Sequence, residues 1–177
     1  MKQRVFTVLM SCMIAWLVLH DACVKDKCRV VVCDNGGVCV GGVCACPGGY
    51  EGTTCSKTWN EKFAGRWQVA DSVARDNIVR YKYEITNNIG NSRDSFYITG
   101  FADTASIQIM CTRQAYRIFK IPEQKIDTFL ILKSGTGTLD SVTGQIKGSY
   151  AYLRKTPISN TATKDTTVTV FFSWRRQ

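Results

Sequence analysis

The chain has 177 residues, 45% apolar and 21% charged, a balance that excludes wholesale disorder and sets a size of one ordinary domain or two small ones. Its net charge is +9, but Lys and Arg are spread singly and the longest basic run is Arg175-Arg176, so no nucleic-acid partner is expected. The single histidine is His20, which removes Ser-His-Asp and Cys-His machinery, and the usual zinc ligands, from everything that follows it.

The first element is an apolar run, Val5–Leu19, broken only by Thr7, Ser11 and Cys12 and preceded by Lys2 and Arg4. A basic start before about fifteen apolar residues is the layout of a secretory signal, and it falls short of the ~20 residues of a spanning helix. Residues 1–22 are therefore read as a signal peptide and set apart from the fold. Ala22-Cys23 at the end of the run resembles a bacterial lipoprotein signal, which implies lipidation of Cys23 and a short tether over 23–27. A second position with the same local pattern is Leu9-Met10-Ser11-Cys12, and plain secretion or an uncleaved anchor are the other outcomes. The expected location is the cell envelope, as an exported outer-membrane lipoprotein facing the periplasm or the surface, with the membrane as a partner through the N-terminal lipid.

Nine cysteines are many for this length, and seven of them lie between positions 23 and 55. Six are spaced Cys28-x4-Cys33-x5-Cys39-x4-Cys44-x1-Cys46-x8-Cys55. A stretch this short cannot bury enough apolar area to fold alone, so covalent staples must replace the missing core. Spacing by itself does not choose among the possible pairings. With its Asn35-Gly36-Gly37 turn and the run Cys44-Ala-Cys46-Pro-Gly-Gly49-Tyr50-Glu-Gly52-Thr-Thr-Cys55, the segment 28–55 resembles the EGF-like family. The resemblance implies the pairs Cys28–Cys39, Cys33–Cys44 and Cys46–Cys55, and a compartment outside the reducing cytoplasm. Calcium-binding members carry an acidic entry before the first cysteine. Here the entry is Val24-Lys25-Asp26-Lys27 and the module offers few carboxylates, whereas a hard cation needs six or more oxygens, so no metal is expected.

After a linker at 56–61 the texture changes. Residues 62–177 alternate apolar and polar side chains in several places: Val79, Tyr81, Tyr83 and Ile85 against Arg80, Lys82 and Glu84, and Val168, Val170, Phe172 and Trp174 against Thr167, Thr169 and Ser173. This period of two predicts antiparallel strands over 64–74, 79–87, 94–101, 105–112, 115–121, 126–139, 145–154 and 166–174. Eight strands on short connections predict a meander closing into a small barrel, which leaves no exposed edge. The fold class is thus mostly β: a disulfide-rich module followed by an eight-stranded antiparallel barrel. Lys62-Phe63-Ala64-Gly65-Arg66-Trp67 resembles the opening Gly-x-Trp motif of lipocalins. That resemblance implies that Trp67, after Gly65, plugs one barrel end, with Arg175 or Arg176 packed over it. Cys111, in phase with Ile107 and Ile109, is read as a small buried hydrophobe.

Function is bounded more than specified. Gly135-Thr-Gly137 is too short for a phosphate loop, and no spacing selects a catalytic pair among Asp94, Asp103, Glu123, Asp127 and Asp140, so the chain is read as a non-enzyme without a cofactor. One expectation is that the barrel holds a small apolar or amphipathic ligand, with Tyr81, Tyr83, Tyr150 and Phe172 lining the site. The other is a solid barrel serving as a surface interaction or adhesion module through loops such as 155–165; the module 28–55 either grips a partner or acts as a stalk, and the stalk is the favoured reading.

Overall fold

The computed structural model describes residues 26–74, 79–89, 92–158 and 162–177. The expected signal segment 1–22, Cys23 and the side chain of Tyr81 lie outside the described part. The chain divides into two compact units: residues up to 47 together with Gly52–Ser56, and Gly48–Glu51 together with Lys57–Gln177.

The described residues of the first unit have almost no apolar interior of their own. Val30, Val32, Val38, Val40 and Val43 are all exposed, so disulfides take the place of a core. They join Cys28 to Cys39, Cys33 to Cys44 and Cys46 to Cys55, the pairs that the EGF-like resemblance implies. Strands β1 (Val38–Val40) and β2 (Val43–Ala45) form a hairpin in which Cys39 lies opposite Cys44. The two residues between them are Gly41 and Gly42, both at positive φ (61° and 95°), as a tight primed turn demands. That turn explains why four residues between Cys39 and Cys44 suffice. The Asn35 amide donates to the Cys55 carbonyl at 2.9 Å, tying the Asn35 turn to the last cysteine of the module.

The second unit begins with a short ladder between β3 (Tyr50–Glu51) and β4 (Lys57–Thr58), followed by a 3-10 turn, Trp59–Phe63, capped by Thr58 and Glu61. Glu51 pairs with Lys62 at 2.8 Å and accepts the Tyr116 hydroxyl at 2.7 Å, while Trp59 meets the Tyr116 ring edge-on at 5.1 Å.

The rest is a closed eight-stranded antiparallel barrel. Its strands are β5 (Gly65–Val73), β6 (Val79–Asn88), β7 (Ser95–Thr99), β8 (Gln108–Ala115), β9 (Ile118–Ile121), β11 (Leu130–Leu139), β12 (Ile146–Pro157) and β13 (Thr163–Arg176). Each pairs with its sequence neighbour, and β13 returns to β5 from Val170↔Val73 to Arg176↔Trp67. A two-residue β10 (Gln124–Lys125) continues the line of β9 beyond Pro122 and adds two pairs to β11.

Several boundaries differ from the sequence reading: the strand expected over 105–112 runs from Gln108 to Ala115, and the one expected over 115–121 starts at Ile118, after a turn at Tyr116-Arg117. The strand expected over 126–139 starts at Leu130, because the Asp127 carboxylate accepts the backbone N–H groups of Phe129 and Leu130 and folds the chain into a turn. The loop expected over 155–165 is mostly ladder: Lys155, Thr156 and Pro157 pair with Asp165, Lys164 and Thr163. Its polar composition reads as loop, yet it is the solvated far end of a long hairpin.

Alternation places the core. Trp67 and Val69 of β5, Ile109 and Cys111 of β8, and Val170, Phe172 and Trp174 of β13 all point inward and are buried. Cys111 is fully buried in this apolar cluster, which pushes its thiol well above the usual range and leaves it inert.

Candidate ligand cavity

The two ends of the barrel interior are built differently. At one end the aromatic side chains leave no space. Phe172 stacks on Trp174 at 4.8 Å, Trp174 on Phe119 at 5.5 Å, and Phe63 meets both Phe96 and Phe119 at 5.4 and 5.3 Å. These rings fit because the facing strands carry glycine. Gly137 of β11 lies opposite Gly148 of β12, and a Cβ on Gly137 would come to 2.2 Å from Phe119, one on Gly148 to 2.5 Å from Phe172. Trp67 is fully buried here, its indole N–H donating to the Phe63 carbonyl at 2.9 Å, and the Arg176 guanidinium covers its ring at 4.8 Å. Arg176 also donates to the Lys62 carbonyl at 2.7 Å, so of the two arginines considered it is Arg176 that closes over the Trp. Asn87 adds a second donor to the Phe63 carbonyl at 2.8 Å.

The other end holds a cavity of about 270 Å³. Its walls are Tyr83, Tyr150 and Tyr152 with Phe101, and an apolar side made by Ile126, Leu130, Leu132 and Val170. Of the expected lining residues, Tyr83 and Tyr150 are therefore in place. Phe172 is not among them: it is buried one layer deeper, 6.1 Å from the Tyr150 ring, and belongs to the plug. Tyr81 lies outside the described side chains.

The residue at the centre of the site is Asp71, which the sequence reading did not single out. It is only 3% exposed. Its Oδ2 accepts the hydroxyls of both Tyr83 and Tyr150 at 2.8 Å, whereas its Oδ1 is buried with no hydrogen-bond partner. Burial pushes its carboxyl above the usual carboxylate range, and the two phenols pull it back part of the way. The same burial, with the Asp71 charge, pushes both tyrosines far above the usual phenol range, the neighbouring phenol adding to the rise at Tyr150 and opposing it at Tyr83, so they stay protonated donors. The signal for Asp71 was present in the chain: it is in phase with Trp67 and Val69, an acid on an otherwise apolar face.

Backbone irregularities aim these groups. A bulge in β6 falls between the partners of Asp71 and Ser72, the kind of local kink that redirects a side chain beside a site. Strands β6 and β7 share only three residue pairs, Thr86↔Thr99 to Asn88↔Tyr97, so the wall is thin above them. The turn Phe101–Asp103 fills that gap and lays Phe101 against Tyr150 at 4.9 Å. Ala102 and Asp103 hold positive φ (54° and 58°) to do so, a strained conformation for residues with a Cβ and one that clusters at ligand clamps. Arg154 and Asp103, both exposed, stand among the lining residues, with Arg154 5.8 Å from the Tyr152 ring.

No group of three or more His, Cys, Asp or Glu side chains among the described residues is placed to hold a metal. No protein-family model matches the chain, and a search of curated proteins finds no match.

Proposed function

We propose that this protein is a non-enzymatic, exported binding protein whose barrel carries a small amphipathic ligand. The observation that supports it is the cavity of about 270 Å³ above a solid aromatic plug. An interior packed to the density of the plug would have left no such space, and ligand sites are concave, mostly apolar and furnished with a few convergent polar groups. Tyrosine rings, aliphatic walls and one buried carboxyl fit that description better than they fit a solid interaction module.

The stapled segment 28–55 is then an EGF-like spacer, supported by its cysteine spacing and its three disulfides. The lipocalin-like character of the barrel rests on Gly65, Trp67 and the Arg176 cover. Lipidation at Cys23 and an envelope location follow from the first 23 residues, and the mass of the mature N-terminus tests them: an unmodified Cys23 ends that part of the reading.

Binding is tested by native mass spectrometry of the purified chain and by titration with the solvatochromic dye nile red. A retained small mass or a blue-shifted, saturable dye signal is expected. The variant Leu132→Trp, which places an indole in the cavity and leaves the plug untouched, abolishes both. A folded wild-type chain that neither retains a mass nor binds the dye would sink the proposal.

A further inference from the structure

We propose that the cavity selects a small organic amine, bound as its ammonium with Asp71 Oδ1 as the counter-ion. The inference rests on the cavity being a ligand site and names what that ligand must carry.

Asp71 is buried, and its two oxygens are unequal. Oδ2 is saturated by the phenols of Tyr83 and Tyr150, while Oδ1 has no partner. Buried polar atoms are almost always paired, and an unpaired carboxylate oxygen is among the costliest exceptions. Burial raises the Asp71 carboxyl and the two phenolic donors on Oδ2 pull it back only part of the way, so a cation against Oδ1 is what would offset the cost of its charge. The missing partner is therefore a donor, and a charged donor gains most.

The surroundings point the same way. Phe101, Tyr150 and Tyr152 form a chain of rings 4.9 and 6.4 Å apart beside the carboxylate, and π-faces attract an ammonium group with its substituents. Ile126, Leu130, Leu132 and Val170 provide a wall for a hydrocarbon part. A cavity of about 270 Å³ suits a small molecule such as a single ring with a short chain. Arg154 and Asp103, the other charged side chains among the described lining residues, are both exposed and of opposite sign, which leaves Asp71 as the buried charge of the cavity. A carboxylate ligand finds only repulsion from Asp71 and no buried cation.

The test is isothermal titration of the full chain with three probes of similar shape: phenethylamine, phenethyl alcohol and phenylacetate. The amine binds about tenfold to a hundredfold more tightly than the alcohol, the range expected for one hydrogen bond to a charged group, and phenylacetate binds least. Asp71→Asn, checked for folding by circular dichroism, removes the preference for the amine over the alcohol. Equal or tighter binding of the alcohol or of phenylacetate, lost in Leu132→Trp, overturns the amine assignment and leaves the cavity as a ligand site. Binding of no probe, together with no nile red signal, overturns both.

Discussion

Asp71→Asn separates a binding role from a structural one, because the two make opposite demands on stability. In the ligand-free protein Oδ1 is a desolvated carboxylate oxygen without a partner. Asparagine keeps one oxygen to accept the hydroxyls of Tyr83 and Tyr150 and removes the buried charge, whose cost exceeds that of the unpaired amide group standing in the place of Oδ1, so the variant gains about 1 kcal/mol of stability at neutral pH. With a urea slope of about 1–3 kcal/mol per molar, that is a midpoint shift of up to about 1 M. The sign with pH follows from the raised carboxyl. Between its ordinary value of 3.8 and its higher folded value, the folded state holds a proton that the unfolded state has released. Wild-type stability therefore falls as pH rises through that window, and the variant lacks the fall. Glu51 and Asp94 have lowered values, Glu51 through Lys62 and Tyr116 against the effect of burial, and Asp94 through Arg113. Their contributions are complete above their ordinary values and are lost only as pH drops through their folded ones, so they do not slope in the same range. Urea unfolding followed upward from the ordinary Glu51 value of 4.5 should show the variant's advantage growing with pH until Asp71 is fully ionised in the folded state. Asp71→Leu, which leaves both buried phenols without an acceptor, destabilises instead. An Asp71→Asn protein no more stable than wild type, or an advantage independent of pH, would refute the reasoning and make Asp71 an ordinary structural acid.

Three further outcomes check the plug and the core. Gly137→Ala drives a Cβ into the Phe119 ring and costs about 1–3 kcal/mol in urea unfolding, more than the exposed Gly144→Ala, which meets no neighbour and bears only the cost of its positive φ. Arg176→Ala loses both the cover over Trp67 and the bond to the Lys62 carbonyl, lowering stability by about 1–2 kcal/mol and shifting tryptophan emission to the red. Cys111 stays unlabelled by iodoacetamide in the native protein and is alkylated once urea unfolds the barrel, as read by peptide mass; rapid native labelling would contradict its burial.

Much of the architecture was legible because it rests on local rules. Cysteine spacing located the stapled module, and period-two alternation located eight strands whose centres match the barrel. The misses at 126–139 and 155–165 arise where the same residue types serve two purposes: an aspartate that folds its own backbone ends a strand early, and polar residues on a solvated hairpin look like a loop. The tyrosines at 83 and 150 were visible as inward aromatics, whereas Phe172, identical in pattern, belongs to the plug. Phase along a strand fixes the side a residue faces but not its depth in the barrel.

The amino-acid sequence alone determined the class: a disulfide module where no core was possible, then strands that had to close on themselves to pair their edges. It also held the opening Trp67 and the late Arg176 that meet over one end. Only the tertiary structure decided that the interior is solid at that end and hollow at the other. That outcome depends on side chains from five or more strands competing for one volume, with glycines at 137 and 148 admitting rings on one side. It likewise decided that Asp71, one acid among fourteen acidic residues, is the one whose free oxygen stands buried beside Tyr83 and Tyr150. The distance from Tyr150 to Asp71 spans 79 positions of chain, and no local pattern encodes a meeting across β13.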